Sequence, residues 1–269
     1  MNRILFAFTI VLIASCGIKK DNASGTVSST VSDSLQTTEI GFPDQRPVYR
    51  AAETILTDLI HTKLEVNFDW SKSRMNGIAT ITAKPHFYAS DSVIFDAKGM
   101  DILSAKLGEK NLTYTYTNDM LRIQLDREYT RHERYTITIA YVAKPDERET
   151  AGSAAITSDK GLYFINPTGE DPNKMPQIWT QGETESSSVW FPTIDSPNAK
   201  TTQEIFITVD NKYATLSNGK LISSKKNTNG TRTDHWKQEL PHAPYLFMMG
   251  IGEFKVVEDS YTRPNGTKM

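Results

Sequence analysis

The chain has 269 residues, 38% of them hydrophobic, and its 30 basic and 32 acidic side chains leave a net charge of −2. That length buries a sizeable core in one large domain or two small ones. Acidic and basic residues are interleaved, so the clustered positive surface that a phosphate backbone demands is missing and nucleic acid is excluded as a partner.

The chain opens with Arg3, then an apolar run from Ile4 to Ala14 broken only by Thr9, closing in Ile13-Ala14-Ser15-Cys16. This is shorter than the roughly 20 apolar residues of a permanent span. Residues 1–16 resemble a bacterial lipoprotein signal, in which cleavage before Cys16 exposes that residue for acylation. The competing reading is an ordinary secretory signal with an incidental cysteine. The lipoprotein reading implies a lipid anchor in a bacterial membrane, with the protein in the cell envelope, facing the periplasm or in the outer membrane. Cys16 is the only cysteine, so the expected core has no internal disulfide. Residues 17–45 are mostly Ser, Thr, Asp, Lys and Gly, too polar to offset their ordering entropy, and read as a flexible tether.

Order is expected from Arg46 to Met269. Ala51 to Ile60 is compatible with a short helix. Beyond it Leu64, Val66, Phe68 and Trp70 alternate with polar residues, the period of a half-buried strand. Shorter β-rich runs follow at Ile78 to Ala83 and Val93 to Asp96. Leu112, Tyr114 and Tyr116 lead through Asn118-Asp119, a turn signal, to Leu121, Ile123 and Leu125. Tyr135 to Tyr141 alternates again. After a polar loop from Asp146 to Lys160, Gly161 to Ile165 reads as a strand and Asn166 to Asn173 as a loop with two prolines. Ile205, Ile207 and Val209 alternate, Asn218-Gly219 turns the chain, and Asn227 to Gly230 forms a hairpin tip. Tyr245 to Ile251 is a continuous apolar run suited to burial on both faces. No long 3.6-residue period occurs, so the expected fold is all-β, a mainly antiparallel sandwich.

Candidate chemistry is sparse. No two of the five histidines sit at the i, i+4 spacing of a helical metal site. His132-Glu133-Arg134-Tyr135-Thr136 begins like a zinc-protease motif but has Thr136 in place of the second histidine. Ser186-Ser187-Ser188 lacks a nucleophile elbow and reads as a polar loop. Gln177-Ile178-Trp179-Thr180-Gln181-Gly182-Glu183-Thr184-Glu185 sets an amide and acids beside aromatics. Trp179, Trp190 and Phe191 are expected to wall off a carboxylate and strengthen its pull on a cation such as a primary ammonium.

Three segments resemble the aminopeptidase N family of gluzincin zinc aminopeptidases. Thr180-Gln181-Gly182-Glu183 is similar to the family's Thr-Gln-x-Glu. Trp190-Phe191-Pro192-Thr193-Ile194-Asp195-Ser196-Pro197 is similar to its Phe-Pro-x-x-Asp-x-Pro. Leu240 to Phe254 resembles the closing strands of the amino-terminal domain. The resemblance implies a saddle-shaped β-sandwich in which Gln181 lines the pocket for the first side chain of a peptide substrate and Glu183 binds its free α-ammonium. Glu185 is the competing acid. The family's Gly-Ala-Met-Glu-Asn segment, His-Glu-x-x-His and downstream glutamate are absent from this sequence. The resemblance therefore implies zinc in the parent enzyme and none in this chain, no catalytic residue here, and a catalytic domain as missing partner. Ending at Met269 just after the turn signal Asn265-Gly266, the chain reads as an interrupted sequence. The alternative from another class is a non-catalytic envelope lipoprotein that binds a ligand or a protein partner.

Overall fold

The computed structural model describes residues 54–149 and 159–268. The signal and tether expected over 1–16 and 17–45, Cys16 included, lie outside the described residues, as does part of the polar loop after Asp146.

The first eight strands are β1 (Thr57–Asp69), β2 (Arg74–Pro85), β3 (Ser90–Asp96), β4 (Met100–Leu107), β5 (Lys110–Asn111), β6 (Tyr114–Thr117), β7 (Met120–Tyr129) and β8 (Tyr135–Ala143). They are followed by β9 (Leu162–Ile165), β10 (Gln177–Thr180), β11 (Thr201–Asp210), β12 (Ala214–Ser217), β13 (Lys220–Lys226), β14 (Thr231–His242) and β15 (Met249–Gly252). Helical structure among the described residues is confined to four three-residue 3₁₀ turns. The fold is all-β and mainly antiparallel, as the alternating pattern requires. Its one parallel pair among the described strands joins β1 to β11, with Leu64 opposite Ile205 and Val66 opposite Ile207.

The strands form three sheets, ordered β13-β14-β11-β1-β2-β8-β4-β5, β12-β15-β10-β9 and β3-β7-β6. One hydrophobic cluster draws on all of them. Leu64, Ile81, Ile139 and Ile207 come from the first sheet, Ile178, Met249 and Ile251 from the second, and Phe95, Leu121 and Ile123 from the third. Alternation explains the choice: successive side chains leave a strand on opposite faces, so one face of each sheet turns to the shared core.

Two sequence expectations are corrected. Thr57 to Ile60 is strand, not helix. Pairing with β2 shifts register between Leu59 and His61, and that irregularity removes the clean alternation which identifies the rest of β1. The apolar run from Tyr245 to Ile251 is not one buried strand: Pro244–Leu246 is a 3₁₀ turn, Leu246 is exposed, and the strand begins at Met249. The loop at Asn218-Gly219 carries the chain from the four-stranded sheet into the eight-stranded one. The short second sheet positions the candidate site, because β10 ends at Thr180 and leads directly into Gln181-Gly182-Glu183.

Candidate functional site

Strand β10 lies between β15 and β9, with Trp179 opposite Gly250 on one side and Tyr163 on the other. Its end is fixed by hydrogen bonds: Thr180 Oγ1 accepts the Met249 amide at 3.0 Å, and the Gln181 N–H donates to the Gly161 carbonyl at 2.9 Å. Gly182 is buried against the Tyr245 carbonyl oxygen and the Ser187 hydroxyl, which leave no room for a Cβ. Gly161, with φ of 66°, is likewise pressed against the Ser186 carbonyl oxygen. The Ser186 N–H donates to the Gly182 carbonyl at 2.8 Å and closes a turn whose peptide between Glu183 and Thr184 is cis. Gln181 is half-buried at the base of this turn, and Glu183, Thr184 and Glu185 are exposed on it.

The serine run after the turn is not the polar loop expected from its composition. Ser186, Ser187 and Ser188 are all buried, and Ser187–Val189 is a 3₁₀ turn. The Ser187 hydroxyl donates to the Pro244 carbonyl at 2.7 Å, while the Ser188 N–H donates to Asp195 Oδ2 at 2.8 Å. Burial pushes the Asp195 carboxyl above the usual range, against the pull of the Ser188 amide and the Lys98 charge. The Asp195 N–H donates to Asp96 Oδ2 at 2.8 Å, and Asp96 exchanges two backbone bonds with Thr193 at 2.7 and 3.0 Å. Two residues past β3, the Lys98 N–H donates to the Ser188 carbonyl at 2.8 Å and its Nζ to the Glu185 carbonyl at 2.5 Å.

The expected aromatic wall around a carboxylate does not form. Trp190 and Phe191 are fully buried, edge to face at 4.4 Å, and Phe191 stacks on Phe247 at 5.0 Å. Leaving the 3₁₀ turn, the chain heads into the core, and both rings go with it. Trp179 is 38% exposed and stacks on Tyr163 at 4.4 Å, its neighbour across the sheet. Glu183 and Glu185 are both exposed, so burial does not separate them.

The histidines serve other ends. His86 Nδ1 pairs with Asp58 at 2.6 Å, and His235 Nε2 pairs with Glu204 at 3.1 Å. His61 Nδ1 meets Thr202 Oγ1 at 2.7 Å, and burial is the main cause lowering its proton affinity. Glu133, in the segment that begins like a zinc motif, accepts the Thr130 N–H and hydroxyl, each at 2.9 Å, and pairs with Arg127. Among the described residues no group of three or more His, Cys, Asp or Glu is arranged to hold a metal ion.

Gln181 and Glu183, both expected from the sequence, are brought by the fold onto one turn. Asp195 figures in the sequence only as one position of a motif, and no local pattern singles out Asp96 or Lys98. Their roles depend on a strand some 85 residues upstream of the turn meeting it in space.

A family model for the peptidase M1 N-terminal domain matches residues 58–246. The crystal structure of an M1 zinc metallopeptidase from Deinococcus radiodurans superposes with a TM-score of 0.62 at 17% identity, over 73% of this chain and 42% of that one. An E323A mutant of it bound to a Tyr-Ser-Ala substrate gives a TM-score of 0.63. Legionella pneumophila aminopeptidase A in complex with aspartic acid gives 0.65 at 21% identity, over 81% of this chain and 24% of that one. In sequence, 104 residues are 28% identical to transcription initiation factor TFIID subunit 2 of Gallus gallus, 38% of this chain and 9% of that protein. The chain thus spans less than half the length of each of these relatives.

Proposed function

This chain belongs to the peptidase M1 N-terminal domain family, and from that membership we propose that its Gln181–Glu183 turn is the amine-recognising part of a zinc aminopeptidase. In this reading Gln181 lines the pocket for the first side chain, and Glu183 pairs with the free α-ammonium of a peptide whose amino-terminal residue is removed. The observation that carries it is the turn itself, an exposed carboxylate two residues from a half-buried amide on a frame fastened at both ends. The ligands of two similar structures, a tripeptide and an amino acid, each present an α-amine.

Energetics call for a second domain. A carboxylate exposed as Glu183 is here gains only about 0–1 kcal/mol from an ion pair, because water screens it. Enclosed by a second surface, the same pair is worth defending: stranding one partner of a buried charge pair costs about 2–5 kcal/mol. Such enclosure lets an enzyme prefer a charged terminus over an internal peptide bond. Among the described residues no ligand set fits the zinc of the family, and recognition is the part assigned to them in this proposal. Zinc belongs to the partner domain in this proposal, and Cys16 supplies a lipid anchor at the bacterial envelope.

The test is kinetic. In the zinc-containing enzyme, Glu183→Ala is expected to cost about 2–5 kcal/mol in kcat/KM for peptides with a free amine. Unchanged kinetics sink the assignment. The second reading, a non-catalytic binding module, is favoured by the partial match to a transcription factor subunit. It requires a stable partner complex whose formation is indifferent to Glu183→Ala, measured by co-sedimentation.

A further inference from the structure

We infer that Asp195, together with Asp96 and Lys98, is the positioning device of the amine site, holding the Gly182–Ser186 turn from a neighbouring sheet. The inference rests on the reading of Glu183 as the amine ligand and adds what fixes that residue in space.

On its upstream side the turn hangs from β10, a strand of only four residues. On its downstream side it runs into the Ser187–Val189 turn, whose leading N–H groups have no helical partner of their own. Asp195 meets one of them at Ser188. Asp195 cannot drift, being 6% exposed and tied through its own amide to Asp96, which is tied in turn to Thr193. Lys98 grips the same segment at two further points, its main-chain N–H on the Ser188 carbonyl and its side-chain Nζ on the Glu185 carbonyl. The clamp at Glu185 is two residues from Glu183. All three gripping residues meet where the end of the β3 sheet abuts the turn, so the turn is referenced to two sheets at once.

An apolar side chain in the place of Asp195 would avoid the desolvation cost but leave the buried Ser188 N–H without an acceptor. A buried carboxylate bears that cost and returns a defined position for the group it holds. Positional precision of this kind is what a site for a single charged atom requires.

Amide hydrogen exchange on the complete zinc aminopeptidase, its metal removed to stop turnover and the tripeptide Tyr-Ser-Ala used as a probe in NMR titration, decides the matter. Asp195→Ala is expected to speed exchange at the Ser188 amide, and Lys98→Met at the Ser186 amide next to the Glu185 carbonyl it releases, each by about tenfold or more, with β1 and β8 unaffected. They are also expected to diminish the shifts that Tyr-Ser-Ala induces at residues 181–186. Asp195→Asn, which keeps an acceptor for the Ser188 amide, and Lys98→Arg restore both. Lys98 is half-exposed, so its variants remain informative if Asp195→Ala does not fold. Undisturbed protection at Ser186 and Ser188 in both variants, or equal loss throughout β1 and β8, overturns the inference. Glu183→Gln is expected to abolish the peptide-induced shifts while leaving both amides protected. Retained shifts in that variant reject Glu183 as the amine ligand, while the exchange rates still test the clamp separately.

Discussion

At the scale of single residues, Asp234 is the most heavily bonded carboxylate among the described residues. It is 3% exposed and accepts the Ser224 hydroxyl at 2.6 Å, the Thr215 hydroxyl at 2.7 Å and Arg232 Nε at 3.0 Å to each oxygen. Arg232 goes on to the carbonyls of Asn211 and Tyr213, so the group ties β13 and β14 to β12 of the other sheet. Asp234→Ala strands the guanidinium and is expected to cost about 3–5 kcal/mol in urea unfolding. Burial alone raises the Asp234 carboxyl, but hydrogen bonds from Arg232, Ser224 and Thr215 outweigh it and hold it below the usual range. Its contribution is therefore complete above the unfolded value of about 3.9 and is lost as pH falls through the lower folded one. Asp195 has the opposite sign. Its carboxyl is raised by burial, so its ionisation subtracts stability as pH climbs from about 3.9 through the folded value. Asp195→Asn removes that loss, and its urea midpoint is expected to gain on the wild type as pH rises from about 3.9 through the folded value.

At the scale of elements, the turn after β10 depends on Gly182. The atom that an added Cβ would meet is the backbone carbonyl of Tyr245, which cannot swing aside as a flexible side chain does. Gly182→Ala is expected to destabilise the domain by about 1–3 kcal/mol and to move the Glu183 turn, seen as altered amide shifts from Gln181 to Ser186. The same scale shows what the sequence discloses. The hairpin at Asn118-Asp119 is legible because its cause is local: both residues take positive φ, 52° and 63°, and the flanking strands alternate cleanly. Strand β4 is not, since its pairing with β8 shifts register between Ile102 and Ser104 and leaves Leu103 62% exposed. A bulge erases the period-2 signal at the point where it occurs. Within the site, the same division holds. Gln181 and Glu183 lie in one short motif, whereas the grip of Lys98 and Asp96 comes from a contact that no local pattern records.

At the scale of the whole molecule, three sheets around one core present a turn with an exposed acid at its tip. The eight-stranded sheet and the fastened serine run supply rigidity, and the turn supplies a charge. Water screens that charge until another surface covers it, which is why amine recognition is proposed as half of a site completed by a zinc domain. The most direct measurement is calorimetric titration of the zinc-containing enzyme, metal removed to stop turnover, with Tyr-Ser-Ala and with its N-acetylated form. Wild type is expected to bind the free-amine peptide more tightly by about 2–5 kcal/mol, and Glu183→Gln to bind the two alike. Equal binding of both peptides by the wild type, or an undiminished preference in Glu183→Gln, would contradict the assignment of Glu183 to the peptide's amino terminus.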